Sequence, residues 1–439
     1  MSRELRHLTT LDDARRILWQ ALPARIREGR YAGRDTPIAE AVGFALDEDV
    51  VCPTDLPPFD RSTMDGYAVQ AGDTFGASEG LPAYLKVIGE VRMGEAPAFN
   101  LSERQAAAIP TGGMLPPGAD AVVMIEHIQP WGGDLSASLQ AGSIEVLRPV
   151  APGDNIVHQG DDVRAGEVLL SAGPRLRPQD ISALAGLGIA TVRIRRPRVA
   201  VLSTGFELVA PDQPLAPGQI RDMNGPALRA AARAAGAEPV NLGLVSDDPE
   251  AIRAALCTGL AEADIVLVSG GTSVGTEDVI HDIISSLGKP GVLVHGLAVK
   301  PGKPVVIGLV NEVPVFGLPG HPTSCLVMFR ELVSALLRVA AGSEPQTSLP
   351  VRARLTRNYP SQAGREELVP VRVEKRDGAW EATPLLGPSA FISTLVAADG
   401  LVRVPFAAEG LHEGDEVEVE PFDCAQDRPF ASAQGRPFE

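Results

Sequence analysis

The feature that most constrains the fold is a regular alternation of apolar strands and amphipathic helices that begins at Arg198. Short hydrophobic runs at 199–203, 240–245 and 264–269 are separated by helical patterns at about 225–235, 249–262 and 277–287. Such an alternation is typical of βαβ units, whose parallel strands form one sheet with helices on both faces. We therefore predict a three-layer α/β/α domain over this part of the chain.

The third strand ends in a glycine-rich turn. The residues of this turn are Ser269, Gly270, Gly271, Thr272 and Ser273, and a helical pattern follows from about Thr276. Free backbone N–H groups at the start of a helix lie at the positive end of its dipole, where they favour phosphate and other anions. Lys300 and Lys303 follow on a loop rich in proline and glycine, and they are two of only five lysines, against 34 arginines. We interpret these parts as a site for a phosphorylated or oxyanionic small molecule.

Acidic residues follow the same three strands. Glu207 comes after the first strand, Asp247 and Asp248 after the second, and Asp278 within the first turn of the helix after the third. Ligands of open α/β sheets bind outside the carboxyl ends of the strands, so Glu207, Asp247 and Asp278 are expected to meet near the glycine turn. Three such carboxylates would repel one another unless a hard cation such as Mg²⁺ lay among them. One of the two adjacent aspartates is expected to be only a helix N-cap.

The familiar nucleotide-binding motifs are absent from this region. Gly270 and Gly275 have the spacing of a Walker A loop, but Thr276 and Glu277 stand where that loop requires lysine and a hydroxyl residue. No G-x-G-x-x-G pattern follows a strand. These absences disfavour a P-loop ATPase and a Rossmann dehydrogenase.

A chain of 439 residues is longer than one hydrophobic core usually organises, so several domains are expected. Short strand-like runs and turns between about 60 and 146 predict a small β-rich unit, and alternating strands after Pro345 predict a C-terminal β-barrel. The segment 153–188 is expected to pack on the N-terminal helix, so that the first domain is built from two separated pieces. The predicted domains are residues 1–52 with 147–178 (split N-terminal domain), 53–146 (β-rich), 179–345 (α/β), 346–423 (β-barrel) and a disordered tail, 424–439.

The net charge of −17 argues against binding to nucleic acid or to an anionic membrane surface. No apolar run approaches the ~20 residues of a membrane span, and the charged N-terminus does not resemble a secretory signal. The four scattered cysteines form neither a metal-binding pair nor a disulfide framework. We therefore expect a cytoplasmic protein that contacts neither membrane nor nucleic acid.

A second group of candidate site residues lies in the β-rich unit. Asp65 follows a Ser-Thr pair and enters a tight turn before a strand, while Thr111 begins an exposed turn with two glycines. A strand start with an Asx-turn is an equally good explanation of the first segment. If both segments are functional, the site is a cleft between domains or between two subunits.

These motifs together resemble the MoeA-type molybdopterin molybdenumtransferases, a family related to the C-terminal domain of gephyrin. The segments PPFDRSTMDGYAV, PTGGMLPPGADAVV, LSTGFEL, VSDDPEAI, VSGGTSVGTED, KPGKP and GLPGHPTS occur in the family's order, and the resemblance covers about residues 5–421. The resemblance implies four domains, a homodimer with a cleft shared between subunits, and an α/β domain like that of MogA. It implies that adenylylated molybdopterin and molybdate are the substrates, that AMP is released, and that Mg²⁺ is required.

The family's functional residues are carried over by motif. Asp65, Thr111, Glu207, Asp247 and Asp278 match catalytic positions, the last three being the implied metal ligands, and the glycine turn with Lys300, Lys303, Pro319 and Pro322 matches the cofactor-binding motifs. Which carboxylate binds the metal and which acts as base stays open. The chain departs from the family pattern at Phe206, where Asp is frequent, and at His321, where Asn is frequent.

Two other functions remain possible at this stage. One is a MogA-like adenylyltransferase that makes the adenylylated pterin, although the β-rich and barrel domains would then have no evident use. The other is a scaffold that binds pterin without turnover, for which four carboxylates would be superfluous. The sequence does not distinguish molybdate from tungstate, does not identify the recipient enzyme, and leaves a MogA-type partner as an expectation.

Overall fold

The structure is a computed structural model that describes residues 8–29, 31, 33–130, 142–270, 277–340 and 350–422. The predicted tail, 424–439, lies outside the described residues. Among the described residues, no helix combines the length and the apolar composition needed to cross a bilayer.

A six-stranded mixed sheet forms the centre of the α/β region. In spatial order its strands are Glu238–Val245, Arg198–Thr204, Ile265–Gly270, Val313–Leu318, Val306–Val310 and Pro290–His295. The first four are parallel, whereas Val306–Val310 runs antiparallel to both of its neighbours. The three strands predicted from the sequence are confirmed. The sheet also contains Val313–Leu318, which is parallel to them, and beyond it only Val306–Val310 runs against the other strands.

Helices cover both faces of this sheet, as predicted. The helices of the region are Asn224–Ala234, Pro249–Glu262, Glu277–Leu287, Pro322–Met328 and Ala335–Ala340, with a π-helical turn at Phe329–Ser334. Alternate residues of one strand point to opposite layers: Val199 and Val201 pack with Leu228, whereas Ala200 and Leu202 pack with Ile252. This alternation is the period of a strand, and it explains why the buried strands are apolar throughout.

The β-rich region contains a second six-stranded sheet. Its strands, in spatial order, are Ala121–Met124, Gly66–Val69, Gln105–Ile109, Ala83–Glu90, Ser143–Val146 and Ile128–Pro130, and short 3₁₀ turns lie at Ala71–Thr74 and Ile125–His127. Small and β-branched side chains fill its core, including Val69, Val87, Ala106 and Val123. The strand Gly66–Val69 begins directly after Asp65, whose carbonyl oxygen accepts a hydrogen bond of 3.0 Å from the N–H of Ile125, next to the neighbouring strand.

The chain segment that precedes the β-rich sheet in sequence pairs with the segment that follows it. They are joined by pairing of Gly33–Pro37 with Thr191–Arg195, of Val50–Val51 with Val168–Leu170, and of Arg61–Ser62 with Ile156–Val157. The helix Pro178–Gly186 packs on the 3₁₀ turn Ile38–Glu40, with Leu184 and Leu46 in one core. The N-terminal helices Leu11–Ala21 and Ala24–Arg27 instead bury Leu11 and Ile26 in the α/β core. The packing partner of the N-terminal helix therefore differs from the expected one, and the domain limits stay predictions.

The C-terminal region is a closed barrel. Its strands, in order around the barrel, are Glu366–Arg376, Ala379–Pro384, Val351–Leu355, Glu416–Pro421 and Gly400–Val404, the last of which pairs again with the first. Smaller elements are the strand pairs Tyr359–Pro360 with Gly410–Leu411 and Leu208–Val209 with Ile220–Arg221, and the helix Ile392–Ala397. The α/β region contributes one strand to the barrel sheet, because Val299–Lys300 pairs in parallel with the start of Glu366–Arg376. This pairing brings the lysine loop against the barrel.

Candidate functional site

A groove of about 1500 Å³ lies between the α/β sheet and the barrel. One wall comes from the carboxyl ends of the central strands and from the loops around Lys300 and Pro319, and the other comes from barrel residues around Tyr359 and Ser389. Its position outside the carboxyl ends of parallel strands is the one expected for a ligand of an α/β sheet.

The three strand ends predicted to converge do lie side by side. Thr204 is in register with Gly270 on one side and with Val245 on the other. Gly270 has φ +106°, and a Cβ there would lie 2.0 Å from the carbonyl oxygen of Thr204. Only glycine satisfies both the backbone conformation and the close approach, so the first glycine of the turn is required by the sheet itself.

The acidic residues after these strands have two different positions: Glu207 and Asp247 line the groove, whereas Asp248 caps a helix. Asp248 is the N-cap of the helix Pro249–Glu262 and accepts a hydrogen bond from the N–H of Ala251 at 2.9 Å. Asp247 lines the groove instead, and its Oδ1 accepts a hydrogen bond of 2.6 Å from the hydroxyl of the buried Thr204. Glu207 also lines the groove. The prediction that one aspartate of the pair only caps a helix is confirmed.

Part of the predicted anion site falls outside the described residues, namely Gly271, Thr272 and Ser273. Asp278 lies in the first turn of the helix Glu277–Leu287, but its side chain is not described. Within the described ranges, no three His, Cys, Asp or Glu side chains come together as a metal site would require. The described acidic residues of the groove that match the predicted ligand set are therefore Glu207 and Asp247.

The predicted lysine and proline residues line the same groove, which brings together the two halves of the expected anion site. These residues are Lys300, Lys303, Pro319 and Pro322. Lys300 forms an ion pair with Glu367 of the barrel, and its side chain remains half exposed. Two lysines beside the carboxyl ends of the sheet provide positive charge where the oxygens of an anion would lie.

A buried polar layer lies at the base of the groove. The side-chain amide of Asn224 donates hydrogen bonds to the hydroxyl of Ser269 at 2.8 Å and to the carbonyl oxygen of Gly320 at 2.7 Å. Cys325 lies 3.6 Å from the same hydroxyl, and burial raises the pKa of its thiol to about 12. The thiol is therefore protonated at neutral pH, and the layer holds the glycine turn against the loop that contains Pro319 and Pro322.

Asp65 and Thr111 form a second cluster, which does not line this groove. Asp65 Oδ1 accepts hydrogen bonds from the N–H of Thr111 at 2.7 Å and from its hydroxyl at 2.9 Å. These two bonds, the backbone one first, lower the pKa of Asp65 below its ordinary value. Asp65 is therefore an exposed, ionised carboxylate, and the structure brings the two residues predicted in the β-rich region into direct contact.

The two departures from the family pattern both occur at the groove region. Phe206 is 73% exposed beside Glu207, so its ring meets solvent rather than the core. The Nδ1 atom of His321 lies 2.9 Å from the hydroxyl of Ser389 in the barrel. His321 thus contributes to the contact between the two walls of the groove.

The groove also contains residues that were not predicted from the sequence, among them Asn224, Tyr359, Arg365 and Glu367. A signal existed for Glu367. Alternate residues of a strand point to the same face, and Glu367 is on the same face as Val369, Val371 and Val373, which lie in the barrel core. A carboxylate on an apolar strand face implies a polar or charged partner. Asn224 carries no comparable signal, because an asparagine at the start of a helix normally serves as a cap.

Three family models together match most of the chain. They are the MoeA N-terminal region (domains I and II) over residues 9–188, a probable molybdopterin binding domain over 200–339, and the MoeA C-terminal region (domain IV) over 352–422.

Curated relatives and solved structures are similar along nearly the whole length. The molybdopterin molybdenumtransferase of Bacillus subtilis is 35% identical over 378 residues, which span 85% of this chain and 86% of the relative. Molybdopterin molybdenumtransferase 2 of Mycobacterium tuberculosis is 35% identical over 391 residues, which span 87% of this chain and 93% of the relative. The crystal structure of the molybdopterin biosynthesis MoeA protein from Pyrococcus horikoshii matches with a TM-score of 0.73 and 39% identity, over 95% of this chain and all of that one.

Proposed function

The chain belongs to the MoeA family, and from that premise we propose that it inserts molybdate into adenylylated molybdopterin and releases AMP. The product is molybdopterin with molybdenum on its dithiolene sulfurs. The relatives that carry this activity in their names align with the chain from the β-rich region to the barrel, and the proposal therefore concerns the whole chain.

The observation that carries the proposal is the convergence of two kinds of group in one groove. The carboxylates Glu207 and Asp247 face it from the sheet, and Lys300 and Lys303 line it from the adjoining loop. Substrates that combine phosphates, an oxyanion and a leaving AMP need both cationic groups for the oxygens and carboxylates near the attacked phosphate. The lysines suit the two anionic reactants, and the carboxylates suit a divalent cation or the water that attacks the phosphate.

We assign roles by chemistry. Lys300 and Lys303 bind phosphate or molybdate oxygens as point charges, and the glycine turn with Ser269 and Gly270 binds the pterin phosphate region. Glu207, Asp247 and Asp278 orient the water or oxyanion that attacks the AMP phosphate, while Pro319 and Pro322 shape the wall. Asp65 and Thr111 form the opposite side of the cleft.

We propose Mg²⁺ as the cofactor. Carboxylate oxygens are the ligands that this ion prefers, and Glu207 and Asp247 supply such oxygens at the groove, with Asp278 as the third expected ligand. When bound, the ion would neutralise the charge of the phosphates. Asp247 already accepts a hydrogen bond from Thr204, which holds its carboxylate in a fixed orientation for either task.

We further propose that the active protein is a homodimer in the cytoplasm. Asp65 and Thr111 do not line the groove of their own chain, and a partner chain related by a twofold axis could present them to it. A MogA-type adenylyltransferase that delivers the adenylylated pterin remains the proposed further partner.

The test of the proposed function is a single-turnover assay. Purified protein is incubated with adenylylated molybdopterin, Mg²⁺ and either molybdate or tungstate, and AMP release and metal on the pterin are followed together. We expect AMP release to depend on the oxyanion and to match the metal retained. Tight pterin binding without AMP release would contradict the proposal and favour a scaffold. Omitting Mg²⁺ tests the cofactor, and the two oxyanions rank the metal preference.

The shared cleft is tested by mixing two inactive variants. Asp65→Asn and Glu207→Gln chains, each inactive alone, are unfolded together and refolded as mixed dimers. If each site uses Asp65 of one subunit and Glu207 of the other, half of the dimers contain one intact site, so about a quarter of all sites recover. If each site lies within a single chain, no intact site forms and the mixture remains inactive.

A further inference from the structure

Glu367 is a buried carboxylate at the wall of the groove. It lies at the start of the barrel strand Glu366–Arg376 and is 1% exposed. Its Oε1 accepts a hydrogen bond of 2.7 Å from the Tyr359 hydroxyl, and its Oε2 accepts one of 2.6 Å from the Ser361 hydroxyl. Oε1 also accepts a hydrogen bond from Lys300. Both oxygens of this carboxylate therefore have partners.

The contact with Lys300 is fixed by the backbone. The strand Val299–Lys300 pairs in parallel with the barrel strand, with Lys300 directly opposite Glu367. The N–H of Glu366 donates to the carbonyl oxygen of Ala298 at 2.9 Å, which continues the same pairing. Two long surface side chains often meet without measurable effect, but here the main chain holds them in register.

The charge state of the cluster is also defined. Burial alone would raise the pKa of Glu367, but the hydrogen bonds from Lys300, Ser361 and Tyr359 outweigh it and the pKa is lowered. Burial, together with the hydrogen bond to Glu367, raises the pKa of Tyr359. At neutral pH the cluster therefore holds one carboxylate and one neutral phenol. A buried carboxylate of this kind is tolerated only beside cations. Here these are Lys300 and Arg365, whose guanidinium lies 4.0 Å from Oε2 of Glu367.

The ammonium group of Lys300 contacts the barrel through Glu367, while the rest of its side chain is open to the groove. Its side chain is 51% exposed and lines the groove, while its ammonium group donates to a carboxylate that is almost completely buried. An ammonium group has three N–H donors, so a single carboxylate oxygen leaves donors for a bound anion. Lys303 lines the same groove, and within the described part of the chain it forms no ion pair with a carboxylate.

We propose that Glu367 is a positioning residue, through which the barrel fixes Lys300 against the groove so that its ammonium group meets the oxygens of the bound anion. This inference rests on the proposed function for the identity of the anion, although the lysine's position can be tested without it. Without the carboxylate, the flexible four-carbon side chain would sample other rotamers, and each turnover would have to restore its position.

The experiment is a double-mutant cycle between Glu367→Gln and Lys300→Met. Displacing a group that binds the reactant by about 1 Å can cost up to a hundredfold, so we expect Glu367→Gln to lower kcat/KM for AMP release by about tenfold or more. In the Lys300→Met background the same substitution should change kcat/KM less than about threefold, because the proposed route of action through Lys300 is gone. In the Lys303→Met background it should keep its full effect.

A general structural role would give a different pattern. If Glu367→Gln lowered kcat/KM equally with and without Lys300, the carboxylate would act on folding rather than on the lysine, and the proposal would be overturned. No effect of Glu367→Gln in the wild-type background would also overturn it. Tyr359→Phe, which removes one hydrogen bond and keeps the charge, provides a milder variant if Glu367→Gln does not fold, and should show the same dependence on Lys300. Glu367→Asp, which keeps the charge, should restore part of the activity.

A binding measurement separates this inference from the proposed function. Equilibrium binding of molybdate and of AMP is measured by calorimetry on the same variants. If the wild type binds either anion but releases no AMP from adenylylated molybdopterin, the proposed function fails, and a weaker affinity of Glu367→Gln that disappears in the Lys300→Met background still supports the positioning role. If the wild type binds neither anion, Lys300 holds none in the groove and the positioning role is overturned.

Discussion

Glu331 provides the sharpest prediction about what holds the barrel against the rest of the chain. It lies in the π-helical turn Phe329–Ser334, and its side chain is 3% exposed. The carboxylate accepts hydrogen bonds from Arg15 of the N-terminal helix and, at 2.9 Å, from Arg403 of the barrel. Substituting Glu331 with alanine removes an acid that joins the N-terminal helix, the π-helical turn and the barrel.

The magnitude follows from the partners that remain. Each hydrogen bond to a charged group contributes about 1.5–3 kcal/mol, so two such bonds amount to roughly 3–6 kcal/mol before compensation. Arg403 keeps Glu366 at 3.2 Å and Glu420 at 3.4 Å, and Arg15 keeps Asp12 at 3.2 Å. These carboxylates recover part of the loss, so we expect a net destabilisation of about 3 kcal/mol, at the lower end for a broken buried pair.

Arg403 cannot avoid the cost of an unpaired charge by losing its proton. Burial alone would lower its pKa, but attraction to Glu331, Glu420 and Glu366 raises it above the ordinary value. The guanidinium is therefore charged at every accessible pH, in the variant as in the wild type.

The assay is amide hydrogen exchange, since a chain of several domains need not unfold in one step. A loss of 3 kcal/mol should make the slowest amides of the strand Gly400–Val404 exchange about a hundredfold faster, since about 1.4 kcal/mol corresponds to tenfold. The matched control is Glu416→Ala, which breaks an ion pair of 3.5 Å with Arg352 in which both side chains are more than 70% exposed. This pair should contribute less than about 1 kcal/mol, or fivefold in exchange. If the two variants changed exchange equally, the reasoning about the buried carboxylate would be refuted.

Three further predictions follow from local geometry. Thr111→Val removes the hydrogen bond from the hydroxyl to Asp65, so the pKa of that carboxyl should rise. The stability that the ionised carboxylate contributes is lost as pH falls through this pKa, so in the variant it should be lost at a higher pH. NMR titration of Asp65 measures the shift, and an unchanged titration would contradict the assigned bond. The buried Cys325 thiol, with its pKa of about 12, should resist alkylation at pH 8 while the exposed Cys257 reacts, and equal labelling by mass spectrometry would contradict this burial. Gly270→Ala should destabilise the carboxyl end of the strand Ile265–Gly270, because its Cβ would lie 2.0 Å from the carbonyl oxygen of Thr204. A variant with wild-type thermal stability would refute this.

The sequence could predict most of the α/β region because its signals are local. A run such as Ile265–Val268 is apolar at every position, and it is buried at every position in the structure. The carboxyl ends of parallel strands lie along one edge of a sheet, so the convergence of the three strand ends could be expected. The pairing of Thr204 with Gly270 could not, because it depends on which strand lies between the other two. Asp248 could be recognised as a potential cap, since a cap acts within one turn of its own helix.

The remainder could not be predicted because it depends on contacts between distant segments. Lys300 and Glu367 are 67 residues apart and meet only because a two-residue strand of the α/β region joins the barrel sheet. The strand is too short to produce a periodic pattern, and the proline and glycine around it indicated only a loop that carries the two lysines. The N-terminal helix shows the same limit, because it was expected to pack on the segment 153–188 and instead buries Leu11 in the α/β core.

The barrel's place at the groove bears on the two alternative functions. An adenylyltransferase built on the α/β region alone would leave the barrel without a role, yet Tyr359, Arg365 and Glu367 all line the groove from the barrel side. A scaffold that only binds pterin has no need for a lysine held by a buried carboxylate, because a charge at the rim of a binding site contributes mainly to the rate of association. Burying Glu367 incurs a desolvation cost, and that cost is understandable where the position of Lys300 affects a reaction. The cluster around Glu367 therefore favours catalysis in the groove, with the barrel as one of its working parts.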